Sequence, residues 1–306
     1  METVETYETN ISKCKSNEIA SDLIVAVMTV CANIGSNIKL SKIFEKFNIK
    51  DPIKIDKYTI YWKDPNNKKD IKNKNKEENC FILQFVPNTK KSKDGHKNKA
   101  FYNCLSAEFY VEENNNKEKK MSKISSKIFP NGSIQLPGCR SIYTVYKAPE
   151  ILLKFLKIIN IEYGMLENDN IKINDLRIVM INSNFVFQEN GERKNILQEK
   201  LKNLINNNIY KGIDEPNKVW RIATFQPEKY AGVNIKYLTK KTRDEYVDYF
   251  KNKENNKIGK LDGQISIFIF RSGKGTITAA KNSLDLLEAY QEICKFVKNN
   301  KKEVFN

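Results

Sequence analysis

Residues 127–141 read Lys127-Ile-Phe-Pro-Asn-Gly-Ser-Ile-Gln-Leu-Pro-Gly-Cys-Arg-Ser141, and residues 268–282 read Phe268-Ile-Phe-Arg-Ser-Gly-Lys-Gly-Thr-Ile-Thr-Ala-Ala-Lys-Asn282. Laid over each other without a gap, they match Phe129 with Phe270, Gly132 with Gly273 and Arg140 with Lys281. Each stretch predicts a strand, a tight turn at the glycine, a second strand and then a helix. In the second copy that helix carries Leu286, Tyr290, Ile293 and Val297 along one face. In the first, Ile151-Leu-Leu-Lys-Phe-Leu-Lys-Ile158 reads as helix, with Pro149 suited to its first turn.

Upstream of each hairpin the pattern repeats. Residues 22–30 and 178–187 are β-rich strands, followed by helical spacing at Leu40, Ile43, Phe44 and Phe47 and at Asn195–Ile205. Further strands are expected over 53–63 and 80–86. The chain therefore divides into a loose polar arm (1–20), a first repeat (21–165) and a second repeat (166–306). Three Lys/Asn-rich tracts, Asn66–Asn79, Asn88–Lys99 and Glu112–Lys120, have almost no apolar anchors and read as exposed loops inserted in the first repeat.

Composition narrows the chemistry. The 53 Lys and Arg against 37 Asp and Glu leave a formal charge of +16, which suits a phosphate backbone. No apolar run reaches the ~20 residues of a membrane span, and the Glu/Thr-rich start is no signal peptide, so an intracellular protein without membrane contact is expected. Six cysteines without a C-x-x-C pair read as reduced packing residues, not as a zinc site. The single histidine, His96, lies in a basic loop, and no nucleophile–base pair or carboxylate cluster emerges. Neither enzymatic activity nor a cofactor is expected.

Ile269-Phe-Arg-Ser-Gly-Lys-Gly-Thr-Ile-Thr-Ala-Ala-Lys281 resembles the Ile-Phe-x-Ser-Gly-Lys-x-x-x-Thr-Gly-Ala-Lys signature of the TATA-box-binding protein family, and Ile128–Arg140 is a looser version. Phe225-Gln-Pro-Glu-Lys-Tyr-Ala-Gly232 is similar to a second family signature, Tyr-Glu-Pro-Glu-Leu-Phe-Pro-Gly. The Lys/Asn bias and the loose first repeat look most like divergent versions encoded by large DNA viruses. The resemblance implies an α+β fold. Two tandem repeats would form a curved antiparallel β-sheet saddle, with helices on its convex face. It implies a transcription initiation factor that bends AT-rich promoter DNA through the minor groove, with paired aromatics wedged between base steps. Those wedges would be Phe101 (or Tyr102) with Phe129, and Tyr230 with Phe270. Groove-face residues would be Val25, Val27, Asn131, Ser133 and Gln135 in the first repeat, and Met180, Ser272, Lys274, Thr276 and Thr278 in the second. Arg140 and Lys281 would meet phosphates. Gln226, Glu228 and Lys229 would form the loop offered to a factor-IIB-like protein, with a viral RNA polymerase as a further partner. Such a factor would work in the host nucleus or a cytoplasmic viral factory, or travel in the virion.

This sequence also departs from the family pattern. Leu23 and Ile178 stand where the resemblance places asparagines that read the centre of the site. Lys127 and Phe268 replace smaller groove residues, and Pro137 replaces a threonine. The alternative reading is a saddle-fold interaction scaffold in a viral transcription complex, with little sequence-specific DNA binding.

Overall fold

The computed structural model describes residues 4–42, 52–62, 79–85, 104–113, 120–209, 218–244 and 264–306. In chain order the described elements begin with α1 (Val4–Ser12), β1 (Ile24–Asn33), β2 (Ile53–Ile55), β3 (Tyr58–Trp62), β4 (Cys80–Phe85), β5 (Leu105–Glu113), β6 (Lys120–Ile128), β7 (Ser133–Cys139) and α2 (Ile142–Tyr163). They continue with β8 (Asn174–Val186), β9 (Gln188–Glu189), β10 (Glu192–Arg193), α3 (Gln198–Asn207), β11 (Trp220–Gln226), β12 (Tyr230–Leu238), β13 (Gln264–Phe270), β14 (Lys274–Ala280), α4 (Ser283–Asn299) and α5 (Lys301–Val304).

These elements form two compact units, one of Val27–Ile178 and the other of Glu2–Ala26 with Val179–Asn306. In the first unit the strand order is β1-β7-β6-β5-β4-β3-β2. Its neighbours run antiparallel except β3 and β4, which pair in parallel from Thr59 opposite Cys80 to Trp62 opposite Leu83. This pair departs from the all-antiparallel expectation. Alternation puts Leu105, Ala107, Phe109 and Val111 of β5, with Ile124 and Ile128 of β6, on the buried face. Helix α2 packs on that face, where Phe155 stacks on Phe81 at 3.7 Å between ring centroids and meets the edge of Tyr58.

Helix α2 starts earlier than Pro149 suggested. Ser141 is its N-cap, accepting from the Thr144 amide, while the Thr144 side chain accepts from the Ser141 amide. Pro149 is therefore interior, and the helix forfeits the hydrogen bond its missing N–H would have given. The loop expected over Glu112–Lys120 is shorter than expected, because β5 runs to Glu113 and β6 starts at Lys120. The Glu113 carboxylate is buried and accepts from the Ser122 hydroxyl, which lets the strands run on. The tract Asn88–Lys99 and most of Asn66–Asn79 lie outside the described residues, as do the later turns of the helix expected over 40–47.

The second unit has the strand order β11-β12-β13-β14-β8, wholly antiparallel. Leu286, Tyr290, Ile293 and Val297 of α4 are buried, as their spacing predicts. The polar arm is helical here. Helix α1 packs on α4, with Tyr7 buried and the Asn10 amide donating to the Ser283 hydroxyl at 2.9 Å. Residues 14–26 stay in this unit because the Leu23 amide donates to the Cys14 carbonyl, the Ser21 amide to the Val186 carbonyl, and the Tyr290 hydroxyl to the Ser21 carbonyl at 2.6 Å.

The repeat expected from the two hairpins holds in detail. Gly132 and Gly273 both have positive φ (75° and 78°), and a methyl at either would lie 2.2 or 2.1 Å from a backbone carbonyl oxygen, that of Ser36 or Lys194. Around them the bonds correspond: the Ile34 amide to the Gly132 carbonyl matches Phe187 to Gly273, and Ile38 to Pro130 matches Ile196 to Arg271. The N-caps Ser141 and Asn282 correspond as well, each accepting from an amide three residues on.

Candidate nucleic-acid interface

In the second unit the helices take one face of the sheet, leaving alternate residues of β8, β14, β13 and β12 on the other. Tyr230 opens β12 and is 48% exposed. Its ring meets Phe268 edge-on at 5.3 Å and Phe270 at 5.8 Å, so the expected pair is a three-ring cluster. Gly232 faces Phe270 across β12–β13, and a Cβ there would press on both the Tyr230 and Phe270 rings at 3.0–3.1 Å. The glycine of the second signature thus makes room for the rings.

From this cluster two polar rows cross the sheet. Asn234, Phe268, Thr276 and Asn184 face one another in register, and so do Lys236, Ser266 and Thr278. The Thr276 hydroxyl donates to Asn184 Oδ1 at 3.0 Å, and the Thr278 hydroxyl donates to Asn182 Oδ1. Each contact turns an asparagine carbonyl towards a threonine and leaves its Nδ2 hydrogens without another bond among the described residues. Lys236 Nζ donates to Ser266 Oγ at 2.6 Å. Burial, and secondarily the Arg221 charge, hold its ammonium below the usual lysine range. Asn234 Oδ1 is buried with no hydrogen-bond partner among the described residues.

Lys274, Thr276 and Thr278 lie along β14 as alternation predicts, with Met180 half-buried on β8 at the same parity as Asn182 and Asn184. Ser272 does not share that face. It lies in the turn between β13 and β14, where the Arg193 guanidinium donates to its carbonyl and, at 2.8 Å, to its hydroxyl. Asn131 is likewise a turn residue, its Oδ1 accepting from the Ser133 amide and its carbonyl from Asn33. In the first unit Phe129, Ser133 and Gln135 are half-buried on the face away from α2, in line with Lys127. Phe101 and Tyr102 lie outside the described residues. On β1, Val25 and Val27 are half-buried while Met28 and Val30 are buried. Leu23 precedes β1 and is buried, 5% exposed, so it holds no groove-face position. The half-buried Cys31 lies across from Gln135, and burial raises its thiol against the pull of Arg177.

Arg140 and Lys281 are exposed and each immediately precedes the N-cap of a helix. Gln226, Glu228 and Lys229 are exposed around the tight turn from β11 to β12, closed by the Lys229 amide on the Gln226 carbonyl at 2.9 Å. Among the described residues no group of three or more His, Cys, Asp or Glu could hold a metal ion, and no helix is long and apolar enough to cross a membrane. The sequence reading missed Asn182, Asn184, Asn234 and Lys236. Period-two counting onward from Met180 reaches both Asn182 and Asn184.

A duplicated α+β unit, each copy with one helix-covered face and one face edged by aromatics, defines the class. No family model matches the chain. A curated relative, the "TATA-box-binding protein-like" protein of Acanthamoeba polyphaga mimivirus, is 28% identical over 226 residues, which is 70% of this chain and 52% of the relative. The chain thus spans about half the length of that relative. A solved structure described as Methanococcus jannaschii TBP aligns with 90% of this chain and 98% of its own at 15% identity, with a TM-score of 0.41. In its two signatures, its duplicated layout and its mimivirus similarity, the chain resembles TATA-box-binding-protein-like proteins.

Proposed function

We propose that this protein is a non-enzymatic transcription initiation factor that binds and bends AT-rich promoter DNA through the minor groove. The observation that carries the reading is the Tyr230–Phe268–Phe270 cluster at the end of an open face that offers amide donors. The minor groove of A·T pairs presents only acceptors, adenine N3 and thymine O2, which the free Nδ2 groups of Asn182 and Asn184 can meet. Rings of this size can enter an easily unstacked TA step, and the kink lets more protein surface meet the duplex. Phe129 is the corresponding wedge of the first unit, while Arg140 and Lys281 hold phosphates. The turn Gln226–Lys229 is the surface offered to a factor-IIB-like protein. Selection of bound sequences from a random duplex pool, with end-to-end fluorescence transfer reporting the bend, tests the reading. AT-rich enrichment and a bend are expected; neither appearing overturns it.

A second reading, an interaction scaffold, is favoured by the first unit's face. There Pro137 takes the place of Thr278, and Glu108 is ion-paired with Lys123 at 2.8 Å. A scaffold would enrich no sequence in the same selection.

A further inference from the structure

The open faces of the two units carry opposite charges at corresponding positions. In the second unit Lys236 of β12 faces Ser266 of β13. In the first unit Glu108 of β5 faces Ser125 of β6. Ser125 and Ser266 are separated by the same number of residues as Phe129 and Phe270, so Glu108 stands where the second unit has Lys236. Each charged group is held in place. Lys236 Nζ donates to Ser266 Oγ at 2.6 Å, and Glu108 Oε2 lies 2.8 Å from Lys123 Nζ, with a side chain 27% exposed. Among the described residues Glu108 Oε1 takes no hydrogen bond.

The minor groove gives this exchange a chemical meaning. A·T pairs offer only acceptors there, and the 2-amino group of guanine is the single donor. A carboxylate oxygen facing an A·T step meets another acceptor, whereas facing G·C it receives a charge-assisted hydrogen bond. Lys236 and the amides of Asn182 and Asn184 have the reverse preference, because a guanine amino group would confront donors.

We infer that the two units read different bases: the second unit selects A·T, while Glu108 of the first unit accepts the guanine 2-amino group and so requires a G·C pair against it. This inference rests on the minor-groove reading proposed above. The Lys123 ammonium balances the carboxylate, which lets Glu108 approach the phosphate-lined groove, and the free Oε1 remains for the base.

The test uses the full chain and a panel of AT-rich duplexes in which one G·C pair is walked through every position. Each guanine is then replaced by inosine, which lacks only the 2-amino group. Wild type is expected to prefer G·C at one position and to lose about tenfold in affinity there on inosine replacement. Glu108→Val should bind guanine and inosine duplexes equally, while Glu108→Gln, which keeps an acceptor oxygen, should retain a weaker guanine preference. Glu108 lies away from the helix-packed face, and circular dichroism of both variants checks the fold. A silent inosine swap in wild type, or an equal loss in Glu108→Val, overturns the inference and leaves minor-groove binding standing. Failure of wild type to bind any duplex removes the functional reading itself, and this inference with it.

Discussion

Removing the Phe270 ring separates the wedge role from a packing role. Phe270 is half-buried and touches Tyr230 at 5.8 Å between centroids. Full burial of a phenylalanine makes its truncation cost about 3–5 kcal/mol, and an aromatic pair adds about 0.5–1.5 kcal/mol. A ring with one side open should cost roughly half the buried figure, so Phe270→Ala should destabilise the chain by about 2 kcal/mol and leave it folded. The effect on DNA should be larger in kind. Unstacking a base step costs a few kcal/mol, and without the ring nothing fills the opened step, so the bend should vanish and affinity should fall by about 2–3 kcal/mol. Phe185 is the matched control. It lies on the helix-covered face, 2% exposed, beneath Gly275, where an added Cβ would strike its ring at 2.2 Å. Phe185→Ala should cost about 3–5 kcal/mol of stability and, below its melting point, leave the bend unchanged. Thermal melts and end-to-end fluorescence transfer on an AT-rich duplex read the two effects independently. If Phe270→Ala bends DNA as wild type does, the ring is a packing residue and the wedge assignment fails.

Ala279 has φ 70°, where its counterpart in the first hairpin, Gly138, has φ 115°. Ala279→Gly should therefore raise stability by about 1 kcal/mol in a denaturant titration, and a loss would show the alanine to be unstrained. Arg140→Ala and Lys281→Ala should each lower the slope of log affinity against log salt by about 1 in anisotropy titrations; an unchanged slope places the side chain off the phosphates. Burial pushes the Cys14 thiol to about 11 and those of Cys139 and Cys294 to about 12. A raised thiol pKa means less thiolate, ~10⁻³ at pH 8 for Cys14. Alkylation followed by mass spectrometry should mark half-buried Cys31 first and reach Cys139 and Cys294 only on unfolding. Early labelling of Cys294 would contradict its placement on the buried face of α4.

The parts of the fold that were legible in sequence are those fixed by local stereochemistry. Gly132 and Gly273 announce their turns because no side chain fits beside the facing carbonyl, and the face of α4 follows from helical spacing alone. What escaped depended on partners distant in sequence. The start of α2 was set by the Ser141–Thr144 capping box, which outweighed the preference of Pro149 for a first turn. The parallel pairing of β3 with β4 leaves no local mark. Ser272 was misplaced because alternation was counted through a turn, where the period of two no longer holds. Asn182 and Asn184 carry no local signature of their own, and Leu23, at a position where the resemblance places an asparagine, is a core residue of the second unit.

The same division explains why two copies of one unit can keep a backbone and lose a common surface. A change at Gly132 or Gly273 drives a methyl into a carbonyl, and a change at Ser141 or Asn282 leaves helix amides without an acceptor, so these positions are held by the fold itself. Residues on the open face meet no such constraint, since Lys236 and Glu108 project from equivalent strands without touching the helices. Pro137 against Thr278, Lys127 against Phe268 and Glu108 against Lys236 are all open-face differences between equivalent strand positions. Divergence confined to that face changes the exposed chemistry while leaving the buried turns and caps of the fold intact. A duplicated factor that has drifted in this way is expected to bind an asymmetric site in a single orientation.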